Sequence, residues 1–281
     1  MKALHKSFRK YHYLISILFF PFIYVLGWLA ISILIYPLPF LYEDKSLYGT
    51  IITLIIFLLC LPFWSKYKWR KNISQVIGLV NLKDKKLFSI LISEFFKAFI
   101  VILLISFFAV LGGYAAFIFR INNFIILNSI FLGLIVGFAE ELVFRVWLFE
   151  ELNLFLKKRF ANFLQAIIFA IVHLRWDFNL IDNIQLLIGL FLLGLYLNKW
   201  RESKYPTIFV PICFHASIVG IWFLINSSFL SIQTNIPKTL FGPGSGSEIN
   251  PIGGLLGIFI ILGLVLFNSS RFKSIFQKIR V

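Results

Sequence analysis

Gly133-Leu-Ile-Val-Gly137-Phe-Ala-Glu140-Glu141-Leu-Val-Phe-Arg145 is an apolar helical run interrupted by two adjacent carboxylates and, one turn later, a guanidinium. Apolar residues flank it from Phe124 to Phe149, more than the roughly 20 residues that cross a bilayer. A charge at the centre of such a helix costs about 2.5–3.5 kcal/mol on insertion scales, so ionisable groups there face the bundle interior or water and mark a function. Glu141 and Arg145, at i and i+4, share a face and pair, while Glu140 points about 100° away around the helix. Gly133 and Gly137 make a small-xxx-small spacing that lets a second helix approach closely in lipid.

The rest of the chain agrees with a lipid solvent. Its 281 residues are 60 % hydrophobic and 14 % charged, against roughly 45–50 % and about 25 % in a soluble domain. That composition excludes an ordinary globular enzyme and a disordered chain. With Phe124–Phe149, seven other segments qualify as spans: Tyr13–Tyr36, Leu47–Trp64, Phe88–Phe119, Phe160–Leu174, Ile184–Leu197, Thr207–Ile225 and Pro251–Asn268. The expected fold is all-α, a polytopic bundle of eight transmembrane helices forming a single integral membrane domain over 1–281, with a motif-bearing core over 124–225.

The formal charge of +15 tests this topology, because Lys and Arg gather in cytoplasmic connections. With the N-terminus inside, 21 of the 27 basic residues fall on the inner side, and only Lys45, Arg120, Arg175 and Lys238 fall outside. Lys97 and Arg145 are within segments. Every connection obeys the alternation, so both termini are expected in the cytoplasm. The charge forms a collar against anionic lipid, with no basic face left for nucleic acid.

Several smaller expectations follow. Glu94 and Lys97, three apart, face each other or headgroups at an interfacial turn. Glu150 and Glu151, close to Lys157, Lys158 and Arg159, are surface charges. Asp177 and Asp182 are outer-loop residues that cap the sixth helix. Gly242-Pro-Gly-Ser-Gly-Ser-Glu248 is a flexible linker within the connection Asn226–Asn250, and Cys60 and Cys213 are buried thiols. Of the four histidines, His5 and His12 belong to a basic arm facing headgroups, whereas His173 and His215 lie in membrane segments. A Glu-Glu pair and two histidines on three helices can make a water-activating site: a carboxylate base, an imidazole to polarise water, and a second imidazole to hold an oxyanion or a metal. The same residues can also serve as a polar lock that fixes helix register.

Glu140-Glu141-x-x-x-Arg145, Phe169-x-x-x-His173 and a later helix with His215 resemble, in order, the three motifs of the CPBP family, also called Abi, of CAAX proteases and bacteriocin-processing enzymes. The resemblance implies a peptidase cutting near the membrane from a cavity open to the cytoplasm. It implies Glu140 and His173 as activators of the hydrolytic water, Glu141 and Arg145 as groups that orient and balance the base, Phe169 in support, and His215 on the oxyanion. It leaves two cofactor options, a metal-free glutamate mechanism or a single divalent metal such as zinc on Glu140, His173 and His215. Partners are membrane lipids and a peptide or protein substrate at the inner face. An excess of Phe, Ile and Lys resembles a low-GC bacterial proteome, which places the chain in a bacterial cell membrane.

The chain departs from the family pattern once. The third motif reads HxxxN, but His215-Ala-Ser-Ile-Val219 puts a valine, with no donor, where the Asn helps bind the oxyanion. Ser217 lies roughly 200° around the helix from His215, on the wrong side to replace it. Depth is a second tension: at 1.5 Å per residue His173 falls about 7 Å above Glu140 and His215. Two non-protease readings compete, an inactive scaffold or immunity protein that keeps the polar core, and a proton-coupled transporter using Glu and His as a relay.

Overall fold

A computed structural model describes residues 12–35, 45–79, 85–201 and 207–267. His5, the basic arm before His12 and the tail from Arg271 lie outside the described residues, as does the side chain of His12. The chain divides into two compact units, Met1–Ile77 and Gly78–Val281.

In the first unit, α1 (His12–Ile35) packs on α2 (Lys45–Trp64), and both keep a proline within the helix. The two backbones touch at Gly27, where a Cβ would run into the Thr53 hydroxyl and come to 2.9 Å from the Gly49 carbonyl. A π turn, Ser65–Trp69, extends α2 and ends at Arg70 in the left-handed region. Lys68 there lies over the Trp64 ring and donates to Ser16. A short α3 (Ile73–Val76), capped by the Asn72 side chain, ends the unit.

The second unit holds the motifs. Its α4 runs Lys85–Leu111, then turns at Gly112-Gly113 into β1 (Ala115–Phe117). The third expected span therefore stops short of Phe119. Gly113, at φ +72°, takes a backbone conformation that side-chain-bearing residues avoid. After the side-chain cap of Asn122 comes α5 (Asn123–Glu141), which passes without a break into a π-helical stretch, Leu142–Leu148, and then α6 (Phe149–Asn153). Next are α7 (Lys158–Ile171), α8 (Leu180–Asn198) and α9 (Phe209–Ser228). After β2 (Leu230–Ile232) and α10 (Lys238–Phe241), the chain ends its described part in α11 (Leu255–Phe267).

Among the described residues a helix thus lies at each of the eight expected segments, and five are long and apolar enough to cross a membrane. Two others, Leu18–Leu34 and Leu255–Phe267, are shorter apolar helices. The remaining one, α7, has 14 residues, or about 21 Å of helix against a hydrocarbon core of about 30 Å. It is sharply two-sided: Ala161, Asn162, Gln165, Ala166 and Phe169 are buried, while Phe160, Phe163 and Ile171 are exposed.

Close backbone approach sets the centre of this unit. A Cβ on Gly133 would strike the Ala216 carbonyl, one on Gly137 would lie 2.8 Å from the Ala216 nitrogen, and one on Gly220 would lie 2.7 Å from the Ser129 carbonyl. The small-residue spacing on α5 meets a matching one on α9, as expected for helices drawn together by packing in lipid. Around this contact a core forms from Ile102, Phe169, Tyr196, Phe214 and Ile261.

Four sequence expectations are corrected here, the first in part. Glu94 does pair with Lys97, accepting from its Nζ at 2.5 Å, but it is fully buried and also accepts from the Tyr196 hydroxyl at 2.5 Å. Glu150 and Glu151 are buried too, and Glu150 pairs with Arg201 at 3.2 Å, across to the end of α8. The side chain that caps α8 is that of Asn179, which accepts from the Asp182 nitrogen at 2.8 Å. After α9 the chain up to Asn250 is a folded cap, and Gly242–Glu248 within it is not a flexible linker. Its β2 pairs antiparallel with β1, with Ala116 opposite Ser231, and Gly242, Gly244 and Gly246 all take positive φ.

Candidate active site

The α5–α9 contact fixes the height of His215 against the end of α5. Ala216, the residue after His215, is the one that sits against Gly137. This brings His215 Nδ1 to 2.8 Å from Glu141 Oε1, while Glu141 Oε2 lies 3.1 Å from Arg145 Nε. All three are shielded: Glu141 and Arg145 have no exposed side-chain surface and His215 is 5 % exposed. The Arg145 guanidinium also lies over the Phe169 ring, 4.2 Å from its centroid, a cation–π arrangement that favours a charge removed from water.

Glu140 faces the other way and lines a cavity of about 390 Å³. Its Oε2 is 3.5 Å from His173 Nε2 and 3.8 Å from His215 Nε2. Thus the structure brings Glu140, Glu141, Arg145, Phe169, His173 and His215 together. The depth offset of His173 is taken up by its own side chain. The helix ends at Ile171, and the ring turns back so that Nδ1 lies 2.6 Å from the Phe169 carbonyl, four residues earlier.

Hydrogen-bond accounting gives the rings their roles. A carbonyl oxygen only accepts, so His173 Nδ1 carries a proton and donates to Phe169. In the neutral ring the Nε2 lone pair then points toward Glu140. His215 Nδ1 likewise donates to the Glu141 carboxylate, which is already paired with Arg145. Its Nε2 also faces Glu140. Glu140 Oε2 has no hydrogen-bond partner among the described residues, so the group that completes this arrangement is a donor placed between a carboxylate and an imidazole, as a water would be.

The donor types are those of a two-histidine, one-carboxylate metal set. Among the described residues, however, no three of His, Cys, Asp or Glu come together in a group that could hold a metal ion.

The cavity extends away from Glu140 between apolar walls that include Val136, Leu190 and Trp222. Val219, the departure from the family motif, is part of its lining, so the third-motif position does face the site and presents only methyl groups there. Ser217 donates to the Cys213 carbonyl at 2.6 Å and is not among the lining residues. Asn226, Glu248 and Asn250 also line the cavity. Asn226 lies on α9, on the same face as Val219 and Trp222, whereas Glu248 and Asn250 are brought there by the folded cap and by no helical period.

Residues 122–221 match the family model of the type II CAAX prenyl endopeptidase Rce1-like proteins. The match spans α5 to α9 and contains every residue of the Glu/His cluster. Over these residues the chain is similar to that CAAX protease family, and its five long apolar helices support an integral membrane protein. Residues 2–73, nearly the whole first unit, match a domain of unknown function, DUF8676. No curated protein matches the chain.

Proposed function

We propose that this chain is an intramembrane endopeptidase that hydrolyses a peptide bond of a membrane-associated substrate. The observation that carries the reading is the convergence of Glu140, His173 and His215 on one cavity, with Glu140 Oε2 facing both Nε2 atoms and bonded to neither. Water held between Glu140 and His173 gives a proton to Glu140 while its oxygen attacks the carbonyl carbon of the substrate. The carbonyl π electrons move onto oxygen, and His215, when Nε2 carries a proton, donates to that oxyanion. Collapse of the intermediate breaks the C–N bond as the proton held by Glu140 passes to the leaving nitrogen. Glu141 and Arg145 touch no substrate in this scheme: they hold His215 in register and balance its charge.

The orientation rests on the basic collar of the sequence, which favours eight crossings with both termini in the cytoplasm. A bacterial cell membrane, and a peptide precursor or bacteriocin as substrate, follow from composition and family resemblance. A second reading, an inactive scaffold or immunity protein, is favoured by Val219, which removes an oxyanion donor from the cavity wall. Cleavage of a membrane-tethered reporter by the purified protein, with and without chelator, separates these readings. The peptidase reading expects cleavage by the wild type, metal-free if it survives chelation and metal-dependent if chelation alone abolishes it; no cleavage by the wild type supports the scaffold.

A further inference from the structure

The Gly-rich stretch before Glu248 has no place in the hydrolytic scheme, yet it is built to present one side chain. Gly242 and Gly244 have φ of +125° and +117°. A Cβ on Gly244 would lie 2.5 Å from the Glu248 carbonyl, so the chain folds tightly back on itself there. The Glu248 nitrogen donates to the Ser245 carbonyl and the Asn250 nitrogen to the Pro243 carbonyl, closing the loop on both sides of Glu248. The result is a fixed cradle that sets an acidic side chain on the wall of the cavity that also contains Glu140 and His173.

The nearest cation is already committed. Arg175, also on the cavity wall, donates to both carboxylate oxygens of Asp177, at 3.1 and 2.7 Å. Glu248 lies close enough to favour the Arg175 charge, but no ion pair joins the two within 4 Å among the described residues. This end of the cavity therefore carries the Glu248 carboxylate beside a guanidinium that Asp177 already balances, with Asn226 and Asn250 among mostly apolar walls. A neutral or acidic substrate gains nothing from such a rim; a cation next to an apolar side chain does.

Building on the peptidase reading, we infer that Glu248 is a specificity residue that selects a substrate segment with a basic side chain beside an apolar one at the cleavage site. The test uses purified full-length protein and three membrane-tethered peptides that differ only in a Lys, Gln or Glu beside the apolar residue. The wild type is expected to favour Lys over Glu about fivefold in kcat/KM, the upper end for a solvent-exposed pair, with the preference shrinking in high salt. Glu248→Gln should remove the preference, and Glu248→Lys should reverse it. Equal use of all three peptides by the wild type, or a preference that survives Glu248→Gln, overturns the inference. If no peptide is cleaved, the peptidase reading fails instead. Binding of the same three peptides to wild type and Glu248→Gln, followed by fluorescence anisotropy, then decides the role of Glu248 by the same order of preference.

Discussion

Glu141 stands between Arg145 and His215, with one carboxylate oxygen 3.1 Å from the guanidinium and the other 2.8 Å from the imidazole. The chain of contacts links α5 to α9 through three side chains almost wholly removed from solvent. Removing one member leaves its partner buried and uncompensated, which costs about 3–5 kcal/mol. Arg145→Ala should therefore lower the melting temperature sharply in a thermal unfolding experiment in detergent. Arg145→Lys should recover only part of the loss, since an ammonium does not stack on Phe169 as the planar guanidinium does. A melting temperature equal to the wild type would show that the pair adds nothing to the fold.

The α5–α9 approach makes a second demand. Gly137→Leu places a side chain where even a Cβ would lie 2.8 Å from the Ala216 backbone. Overpacking of this kind costs about 1–3 kcal/mol, and it pushes His215 away from Glu140 and Glu141. Reporter cleavage should fall by more than tenfold while the helix content seen by circular dichroism is kept. Retained activity would mean that the site does not depend on this contact.

Tyr196→Phe tests the second buried network. The mutation removes the hydroxyl that donates to Glu94 Oε2 and leaves that oxygen without its donor. Hydrogen bonds to charged groups are worth about 1.5–3 kcal/mol. A loss of thermal stability in that range is expected, with the cavity and its reaction unaffected.

Val219→Asn tests the departure from the family motif. A single oxyanion donor is worth about 10²–10³ in kcat where the site is built around it. Here the donor would be new, and a gain of about tenfold in kcat with little change in KM is expected, because Val219 already faces the cavity. An unchanged kcat would show that another group supplies the oxyanion donor.

Helices and cluster were legible for a common reason: both depend on patterns that repeat or stand out along the chain. Apolar runs in a chain this poor in charge mark helices, and a Glu-Glu pair with two histidines inside them marks a site. The Gly133/Gly137 spacing foretold the close packing, and the i, i+4 rule foretold Glu141 with Arg145. What stayed hidden depends on distant parts of the chain. Glu150 looks like a surface charge until Arg201, 51 residues on, closes over it. Glu248 looks like the end of a linker until β1 and β2 pair, because glycine signals conformational freedom without saying which conformation the fold will impose. His173 appeared too high because axial rise locates a Cα, whereas the ring folds back along its helix to Phe169.

The central claim is that Glu140 moves the proton of the attacking water. The most direct measurement is the single-turnover cleavage rate of a membrane-tethered reporter by wild type, Glu140→Gln and His173→Ala, each first shown to melt like the wild type. Glu140→Gln keeps the shape and loses the base, so its rate should fall by at least about 10²-fold, with His173→Ala down by a similar factor. Folded variants that cleave at the wild-type rate would contradict the account.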